Sequence, residues 1–276
     1  MNQQPATSPY LDLLKRVLID YESIGSYEYF PLEIVNANWK TFFLYPINKL
    51  LKTRNFAICK LKFVSKHARL NGLDWPAKAK TMIGLKRLDN IEYVIKTIVA
   101  EGVEGDFIET GVWRGGAAIF MKAVLKDVGV SRRTIWLADS FQGVPKPNEK
   151  EYASDKGNRL HTLKILKVSK AEVENNFRLF DLLDEHIVFL DGWFSSTLPS
   201  APINKLSLLR LDGDLYESTH LALRHLYPKL SVGGFVIIDD YNAFPNCKKA
   251  VSDFREENSI TAPISEIDEE AVFWRK

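Results

Sequence analysis

The sequence is poor in cysteine and in long apolar runs. Among its 276 residues only Cys59 and Cys247 are cysteines, and neither has the spacing of a C-x-x-C or Cys/His metal site. A disulfide scaffold and a zinc site therefore lack support, and a reducing compartment, the cytoplasm, is expected. The N-terminus shows no basic segment followed by an apolar stretch, and no uninterrupted apolar window reaches about 18 residues, so neither secretion nor a membrane span is predicted.

A strong excess of one charge is also missing, but the charge is unevenly distributed. The net charge is only +2, yet from Lys40 to Arg87 twelve Lys or Arg residues accompany a single acid, Asp74. Such a basic block could face phosphates, an anionic membrane or an acidic partner, or it could be the solvated side of helices. No nucleic-acid-binding motif accompanies it, so no nucleic-acid partner is expected.

The chain divides near residue 100 by the periodicity of its apolar residues. Helical patterns dominate before that point, over residues 11–21, 39–67 with a break at Pro46, and 88–100. We expect residues 1–80 to form a helical extension and residues 81–276 to form the main domain. The composition, 46% hydrophobic and 26% charged, is that of a globular protein.

Short apolar runs alternate with helical patterns after residue 104. The runs cover residues 106–110, 134–140, 186–192, 206–214 and 234–240, and residues 271–276 could add a final strand. Candidate helices cover residues 117–128, 171–183, 219–230 and 247–257. Continuous apolar strands separated by helices predict an α/β fold with a doubly wound, mostly parallel sheet.

Each of the five runs ends in or beside an acidic residue. These residues are Glu109, Asp139, Asp191, Asp212, Asp214, Asp239 and Asp240. The carboxyl edge of an open parallel sheet is the edge where ligands bind, so this pattern predicts carboxylates gathered around one crevice. Packing alone would not require such an arrangement.

A glycine loop follows the first of these strands. The segment ETGVWRGGA, residues 109–117, has the spacing G-x-x-x-G-G and not the G-x-G-x-x-G of dinucleotide-binding loops. It suits a nucleoside ligand without a pyrophosphate, although a plain strand-to-helix turn would also use glycine. Asp139, at the end of the second strand, stands where a carboxylate commonly binds a ribose diol, or it could cap a helix.

The segments LDGDLYEST and IIDDY, residues 211–219 and 237–241, form the sharpest acidic constellation. Converging carboxylates repel each other unless a cation neutralises them, and oxygen ligands without His or Cys favour Mg²⁺, Ca²⁺ or Mn²⁺. The alternative is structural, with Asp214 or Ser218 capping a helix and a turn at Asp239 and Asp240. None of the five histidines has a recognisable catalytic or metal partner, but His220 opens the helix after this motif. The polar segment 145–161 reads as a long loop, either a lid over the crevice or a surface insertion.

At these residues the sequence resembles the macrocin O-methyltransferase family. The resemblance runs from MIGLKRLDN at residue 82 through GDFIETGVWRGGA, ADSFQGVP, GWFSSTLP, LLRLDGDLYEST, GGFVIIDDY and VFW, which is about two thirds of the chain. It implies the Rossmann-like class I methyltransferase fold and transfer of a methyl group from S-adenosylmethionine to a sugar hydroxyl of a natural product. It also implies Mg²⁺, or another hard divalent cation, and a homo-oligomer.

The resemblance assigns roles to individual residues. Asp212, Asp239 and Asp240 match the metal ligands, and Asp214 matches the general base, with His220 as the next candidate. The residues that match the S-adenosylmethionine site are Met82, Glu109, Thr110, Gly111, Asp139, Ser140, Asp191, Gly192 and Trp193.

Two other classes stay open from sequence alone. A nicotinamide-dependent oxidoreductase would share the fold and the Asp139 ribose contact, although its pyrophosphate loop is missing. A non-catalytic binding or membrane-docking protein would use the basic block in the N-terminal region.

Overall fold

The computed structural model describes residues 8–36 and 39–276, without the side chain of Lys40. The start of the predicted extension, residues 1–7, and residues 37–38 within it lie outside the described residues. The helices are α1 (Pro9–Leu18), α2 (Trp39–Phe42), α3 (Leu44–Lys52), α4 (Lys66–Asn71), α5 (Leu85–Ala100), α6 (Gly116–Asp127), α7 (Lys170–Leu179), α8 (Phe194–Thr197), α9 (Tyr216–Leu226) and α10 (Pro245–Glu257). The strands are β1 (Tyr27–Pro31), β2 (Cys59–Phe63), β3 (Asp106–Thr110), β4 (Ile135–Asp139), β5 (Ile187–Asp191), β6 (Leu206–Leu211), β7 (Leu230–Ile238), β8 (Ser265–Glu266) and β9 (Val272–Arg275).

The central sheet has seven strands in the order β5-β4-β3-β6-β7-β9-β8. The first five are parallel, while β9 is antiparallel to β7 and β8 is antiparallel to β9. The order reverses between β3 and β6, so a crevice opens at their carboxyl ends. This confirms the predicted doubly wound sheet, including the strand predicted near the C-terminus.

Two apolar clusters cover the two faces of this sheet. One contains Ile91 of α5 and Phe120 of α6, and the other contains Leu223 of α9 and Val251 of α10. Strands buried on both sides are mostly apolar, and β6, with the sequence LSLLRL, is buried throughout, including Ser207 and Arg210. The predicted helices are present, although α7 ends at Leu179 and α9 begins at Tyr216.

The N-terminal region differs from the predicted all-helical extension. Strands β1 and β2 form an antiparallel pair, so the helix predicted across residues 39–67 is wrong where β2 lies. The sequence CKLKF alternates apolar and charged residues with the period of two that a strand requires. In addition, Leu11 and Leu14 of α1 belong to the same apolar cluster as α5 and α6. The division at residue 80 stays a prediction.

No helix within residues 8–36 and 39–276 combines the length and the apolar character needed to cross a bilayer. The cytoplasmic location and the homo-oligomer stay predictions.

Candidate functional site

The loop after β3 lies directly against the end of β6. Gly111 has a φ of +82°, and a Cβ atom there would lie 1.7 Å from the carbonyl oxygen of Asp212. Gly116, at the start of α6, approaches Lys80 so closely that a Cβ atom would lie 2.4 Å from its carbonyl oxygen. The glycines of the loop therefore permit two close backbone approaches, one to the acidic strand end and one to the segment that carries Met82.

Two cavities meet at this edge of the sheet. The larger has a volume of about 370 Å³, and the smaller about 210 Å³. The larger is lined by Gly111, Asp139, Ser140, Trp193 and the loop 143–146, among others. Both cavities are lined by Met82, Trp113, Leu166, Asp212 and Asp214. The two carboxylates of LDGD therefore stand where the two compartments join.

The residues predicted for the cofactor fall into three groups. Met82, Gly111, Asp139, Ser140 and Trp193 line the larger cavity, and Met82 and Glu109 line the smaller one. Thr110, Asp191 and Gly192 are not among the described residues that line either cavity. Thr110 is buried, while the Asp191 side chain is 50% exposed and lies 3.9 Å from Lys170 Nζ.

Asp139 is held by backbone amides of the adjacent loops. Its two carboxylate oxygens accept hydrogen bonds from the N–H groups of Val112 and Phe141, each at 2.7 Å. Burial raises the pKa of Asp139, although these amide donors oppose the shift. The carboxylate therefore fixes the glycine loop against the end of β4 and also forms part of the cavity wall.

Two buried arginines, which sequence reasoning missed, bind the acidic strand ends. Arg210 donates to Glu109 at 2.6 Å, to Asp239 at 2.6 Å and to Asp212 at 3.1 Å. Arg87 of α5 donates to the other oxygen of Asp239 at 2.7 Å. Burial alone would raise the pKa of Asp239, but Arg210 and Arg87 lower it. Asp239 is thus a carboxylate with a guanidinium on each oxygen.

Glu109 also faces this network. Arg210 binds Oε1, whereas Oε2 is buried and has no hydrogen-bond partner among the residues that the structure describes. Burial raises the pKa of Glu109 to about 8, with Arg210 opposing the shift. A buried side-chain oxygen without a hydrogen-bond partner is costly, so Oε2 of Glu109 is suited to pair with a donor group of a ligand, which would also favour the ionised carboxylate.

Three carboxylates converge on one point, and one of them, Asp212, also binds Arg210. Asp212, Asp214 and Asp240 each offer an oxygen, and these oxygens lie within 4.8 Å of one another. Burial and repulsion from Asp239 raise the pKa of Asp212 to about 6. Burial and repulsion from neighbouring carboxylates, Asp212 foremost, raise the pKa of Asp214 to about 8 and that of Asp240 well above its usual range. Asp214 has a φ of +57°, a conformation that non-glycine residues rarely adopt, and its N–H donates to Asp240 at 3.2 Å.

The trio differs from the predicted ligand set in one member. It contains Asp214 in place of Asp239, whose oxygens face Arg87 and Arg210. The ligand set Asp212, Asp239 and Asp240 stays a prediction, and Asp212 and Asp240 belong to both groups.

His220 lies away from this cluster. Its ring stacks on that of Tyr216 with centroids 5.5 Å apart, faces Phe254 edge-on, and has Nε2 3.5 Å from Glu257. It is not among the described residues that line the two cavities. The geometry therefore favours Asp214 over His220 as a proton acceptor.

Asp155, in the polar loop 145–161, was also missed from the sequence. Its carboxylate is 1% exposed and accepts from the N–H groups of Tyr216 at 2.7 Å and Glu217 at 3.1 Å, at the start of α9. Asn246 donates both to Asp155 at 2.7 Å and to the carbonyl of Asp214 at 3.1 Å. The available signal is that α9 has Leu215, which cannot cap, at its N-cap position, so its amides need a partner from elsewhere.

Replacing Asp155 with alanine is expected to destabilise the fold by about 1–3 kcal/mol, because buried amides of α9 lose their acceptor. The rate of any reaction that uses Asp214 should also fall, since the turn that carries Asp214 loses its anchor. Chemical denaturation and steady-state kinetics measure both effects. The control is Asp253→Ala, which removes a carboxylate that accepts from the Tyr216 hydroxyl at 2.8 Å and supports no backbone amide of α9. Equal effects of the two changes would contradict the anchoring role.

Comparison with known proteins identifies the family of this chain. The family model for macrocin O-methyltransferase (TylF) matches residues 7–276. The 8-demethyl-8-(2,3-dimethoxy-alpha-L-rhamnosyl)-tetracenomycin-C 4'-O-methyltransferase of Streptomyces olivaceus is 54% identical over 208 residues, which cover 75% of this chain and 79% of that relative. The demethyldecarbamoylnovobiocin O-methyltransferase of Streptomyces niveus is 52% identical over 209 residues, covering 75% of this chain and 80% of that relative.

A solved structure extends the similarity to the whole fold. The O-methyltransferase NovP is 43% identical, has a TM-score of 0.81 and covers 97% of this chain and 98% of its own. Since the family match spans nearly the whole sequence and named relatives share about half of their aligned residues, this chain belongs to the macrocin O-methyltransferase family and is an S-adenosylmethionine-dependent O-methyltransferase.

Proposed function

We propose that this enzyme methylates a sugar hydroxyl of a small natural product, with a hard divalent cation such as Mg²⁺ bound at the acidic cluster. The observation that carries the proposal is that Asp212 and Asp214 stand where the two cavities meet. A methyl donor that extends across both cavities and an acceptor that reaches their junction would then have their reacting atoms beside these carboxylates.

The proposed donor site uses the nine residues that the family resemblance assigns. Asp139 and Trp193 would bind the nucleoside half in the larger cavity, with Asp139 toward the ribose and Trp193 toward the adenine. Glu109, which lines the smaller cavity, and Gly111, which lines the larger one, would hold the methionine half, and Met82, which lines both cavities, would close over the cofactor. The unpartnered Oε2 of Glu109 supports this, because an ammonium group supplies the donor that this oxygen lacks. Thr110, Ser140, Asp191 and Gly192 would support these contacts from the strand ends.

The donor set supports the proposed cation. Asp212, Asp214 and Asp240 offer three carboxylate oxygens and no nitrogen or sulfur, which is the ligand chemistry of Mg²⁺, Ca²⁺ and Mn²⁺. Their raised pKa values reflect burial and repulsion from neighbouring carboxylates, including Asp239, and a dication offsets that repulsion. We assign Asp212 and Asp240 as ligands. Asp239 would complete the set as the resemblance implies, while its other contacts remain with the arginines.

The chemistry follows from the position of Asp214. When bound, the cation would supply Lewis acidity that lowers the pKa of an acceptor hydroxyl, which is otherwise a poor nucleophile at neutral pH. Asp214 would accept the hydroxyl proton while the oxygen attacks the methyl carbon and the carbon–sulfur bond breaks. The products would be a methyl ether, S-adenosylhomocysteine and protonated Asp214. Ion pairs with Arg87 and Arg210 fix the strand end at Asp239, and Asp155 anchors the turn that carries Asp214. The carboxylates therefore need little rearrangement.

The substrate class rests on the relatives. One acts on a rhamnosyl-tetracenomycin, and another is named for a novobiocin precursor. The cavity walls contributed by loop 143–146 and by Trp113 would contact the acceptor or the donor, and such loops vary with the substrate. A glycosylated natural product is therefore the acceptor we propose.

Binding of Mg²⁺ is expected to be stronger at pH 8 than at pH 5, because the pKa of the proposed ligand Asp212 is raised to about 6 and that of Asp240 is raised well above its usual range. These folded-state pKa values lie above the usual value for aspartate, about 3.9, so protons compete with the cation below them. Because these carboxyl groups ionise at about pH 4 in the unfolded chain, the cation-free fold loses stability as pH rises from about 4 to the raised folded-state pKa values, and Mg²⁺ offsets the loss at high pH. The Mg²⁺-induced rise in Tm should therefore be larger at the higher pH. Equal shifts at both pH values, or a shift retained in Asp212→Asn, would contradict the assignment.

The proposed function is tested by incubating the protein with methyl-labelled S-adenosylmethionine, Mg²⁺ and a panel of glycosylated and aglycone forms of aromatic and macrolide natural products. We expect label to appear on a sugar oxygen and no label on the aglycones. Label on aglycone hydroxyls alone would replace the sugar by another acceptor.

A further inference from the structure

Helix α3 carries an apolar stripe on its exposed side. Phe43, Ile47 and Leu50 recur at the spacing of one helix face, and their side chains are 72%, 50% and 70% exposed. The buried position of this helix is polar, because Asn48 is 3% exposed, donates to Glu33 and accepts from the N–H of Ile58. The usual burial pattern of a helix is therefore reversed, and an exposed apolar stripe of this kind marks an interaction site.

The chain segment that contains α3, residues 39–63, is also basic. Between residues 39 and 63 the sequence has six Lys or Arg residues and no Asp or Glu. Lys49 and Arg54 are exposed beside the stripe, and Phe56 adds a further exposed aromatic ring. We call Phe43, Ile47, Leu50, Phe56, Lys49 and Arg54 the α3 patch. The proposed methyl transfer uses none of these residues.

Strands β1 and β2, which precede and follow α2 and α3 in the chain, also expose apolar side chains. Tyr27 pairs across the strands with Phe63, and Tyr29 pairs with Leu61. These four side chains share one face of the two-stranded sheet, and each is more than half exposed, whereas Glu28 and Phe30 on the other face are buried. Exposed apolar side chains therefore occur on β1, α3 and β2 alike and not at a single position.

The charge of the patch decides between its partners. A second copy meeting it through a two-fold axis would place the same basic patch against itself, and no acid between residues 39 and 63 could compensate. A bilayer that contains anionic lipids matches both features, because its headgroups attract Lys and Arg while aromatic and aliphatic side chains enter the headgroup boundary. We propose that the α3 patch docks this enzyme peripherally on an anionic membrane surface.

Vesicle co-sedimentation of the full-length protein tests the proposal. The protein should bind vesicles of phosphatidylcholine with roughly one third phosphatidylglycerol, bind phosphatidylcholine alone weakly, and dissociate as salt is raised. Replacing both Phe43 and Leu50 with serine, or both Lys49 and Arg54 with glutamate, should lower the partition coefficient by about tenfold or more. Binding of S-adenosylmethionine should be unchanged in both variants, which shows that they are folded.

Matched controls use exposed residues elsewhere on the surface. Leu179 and Val232 are 66% and 85% exposed, and replacing both with serine should leave vesicle binding unchanged. Replacing the exposed Lys126 and Arg132 with glutamate should reduce it much less than the change at the patch. Three results would overturn the proposal: no binding to the anionic vesicles, equal binding by the patch variants and the wild type, or self-association in analytical ultracentrifugation that the patch variants abolish.

Discussion

The Asp214→Asn enzyme is expected to transfer methyl groups about 10²–10⁴ times more slowly than the wild type, the usual contribution of a positioned general base. Asparagine keeps the shape of the side chain but cannot accept the hydroxyl proton. Because Asp139, Trp193 and Glu109 would provide the donor contacts, the affinity for S-adenosylmethionine should be unchanged. Single-turnover kinetics and calorimetric titration measure the two quantities separately.

The control for this change is Glu217→Gln, which removes a carboxylate from the wall of the same cavity but outside the converging trio. Its rate should fall by less than about tenfold, because Glu217 accepts no proton in the proposed reaction, whereas a fall as large as that of Asp214→Asn would mean that only the loss of negative charge matters there. A wild-type rate in Asp214→Asn would reassign the base, and a loss of Mg²⁺ affinity in that variant would make Asp214 a ligand. His220 would be the next candidate for the base, despite its packing against Tyr216.

Removing the cation should have an effect at least as large. EDTA, or Asp212→Asn, is expected to abolish methyl transfer, because Lewis-acid stabilisation of the alkoxide is worth several kcal/mol, or roughly a thousandfold in rate. Circular dichroism should show an intact fold in both cases. Added Mg²⁺ should restore the EDTA-treated wild type but not the variant.

Unchanged turnover in EDTA would remove the metal from the mechanism. Loss of activity in Asp212→Asn together with a lowered Tm would instead point to the ion pair between Asp212 and Arg210, which lies at 3.1 Å. The Tm measurement therefore separates a catalytic loss from a structural one.

The sheet and its acidic rim could be predicted because both follow from local pattern. Apolar runs separated by helices require parallel strands, and parallel strands bring the residues at their carboxyl ends to one edge. Asp212 and Asp214 were therefore expected at the cleft, and they line it. The family match excludes the oxidoreductase and the non-catalytic protein as the identity of this chain, which the pattern alone could not do.

The rest depends on contacts between residues distant in sequence. Asp239 adjoins Asp240 in the chain, but it faces Arg87, which is 152 residues earlier, and no spacing rule links the two. Asp155 reaches α9 from 61 residues away and left only the indirect signal of Leu215 at the N-cap. Asp191 ends its strand as predicted, yet its side chain is half-exposed, because strand β5 lies at the edge of the sheet. The signal for β2 was present in CKLKF but was outweighed by the neighbouring helical pattern.

The most direct test of the account is the position of the cation. Crystals grown with Mn²⁺ and S-adenosylhomocysteine should give one anomalous difference peak bonded to carboxylate oxygens of Asp212 and Asp240, next to the sulfur of the nucleoside. The third ligand in the same map distinguishes Asp239 from Asp214. A map without a peak at these aspartates, or with the nucleoside outside the two joined cavities, would contradict the account.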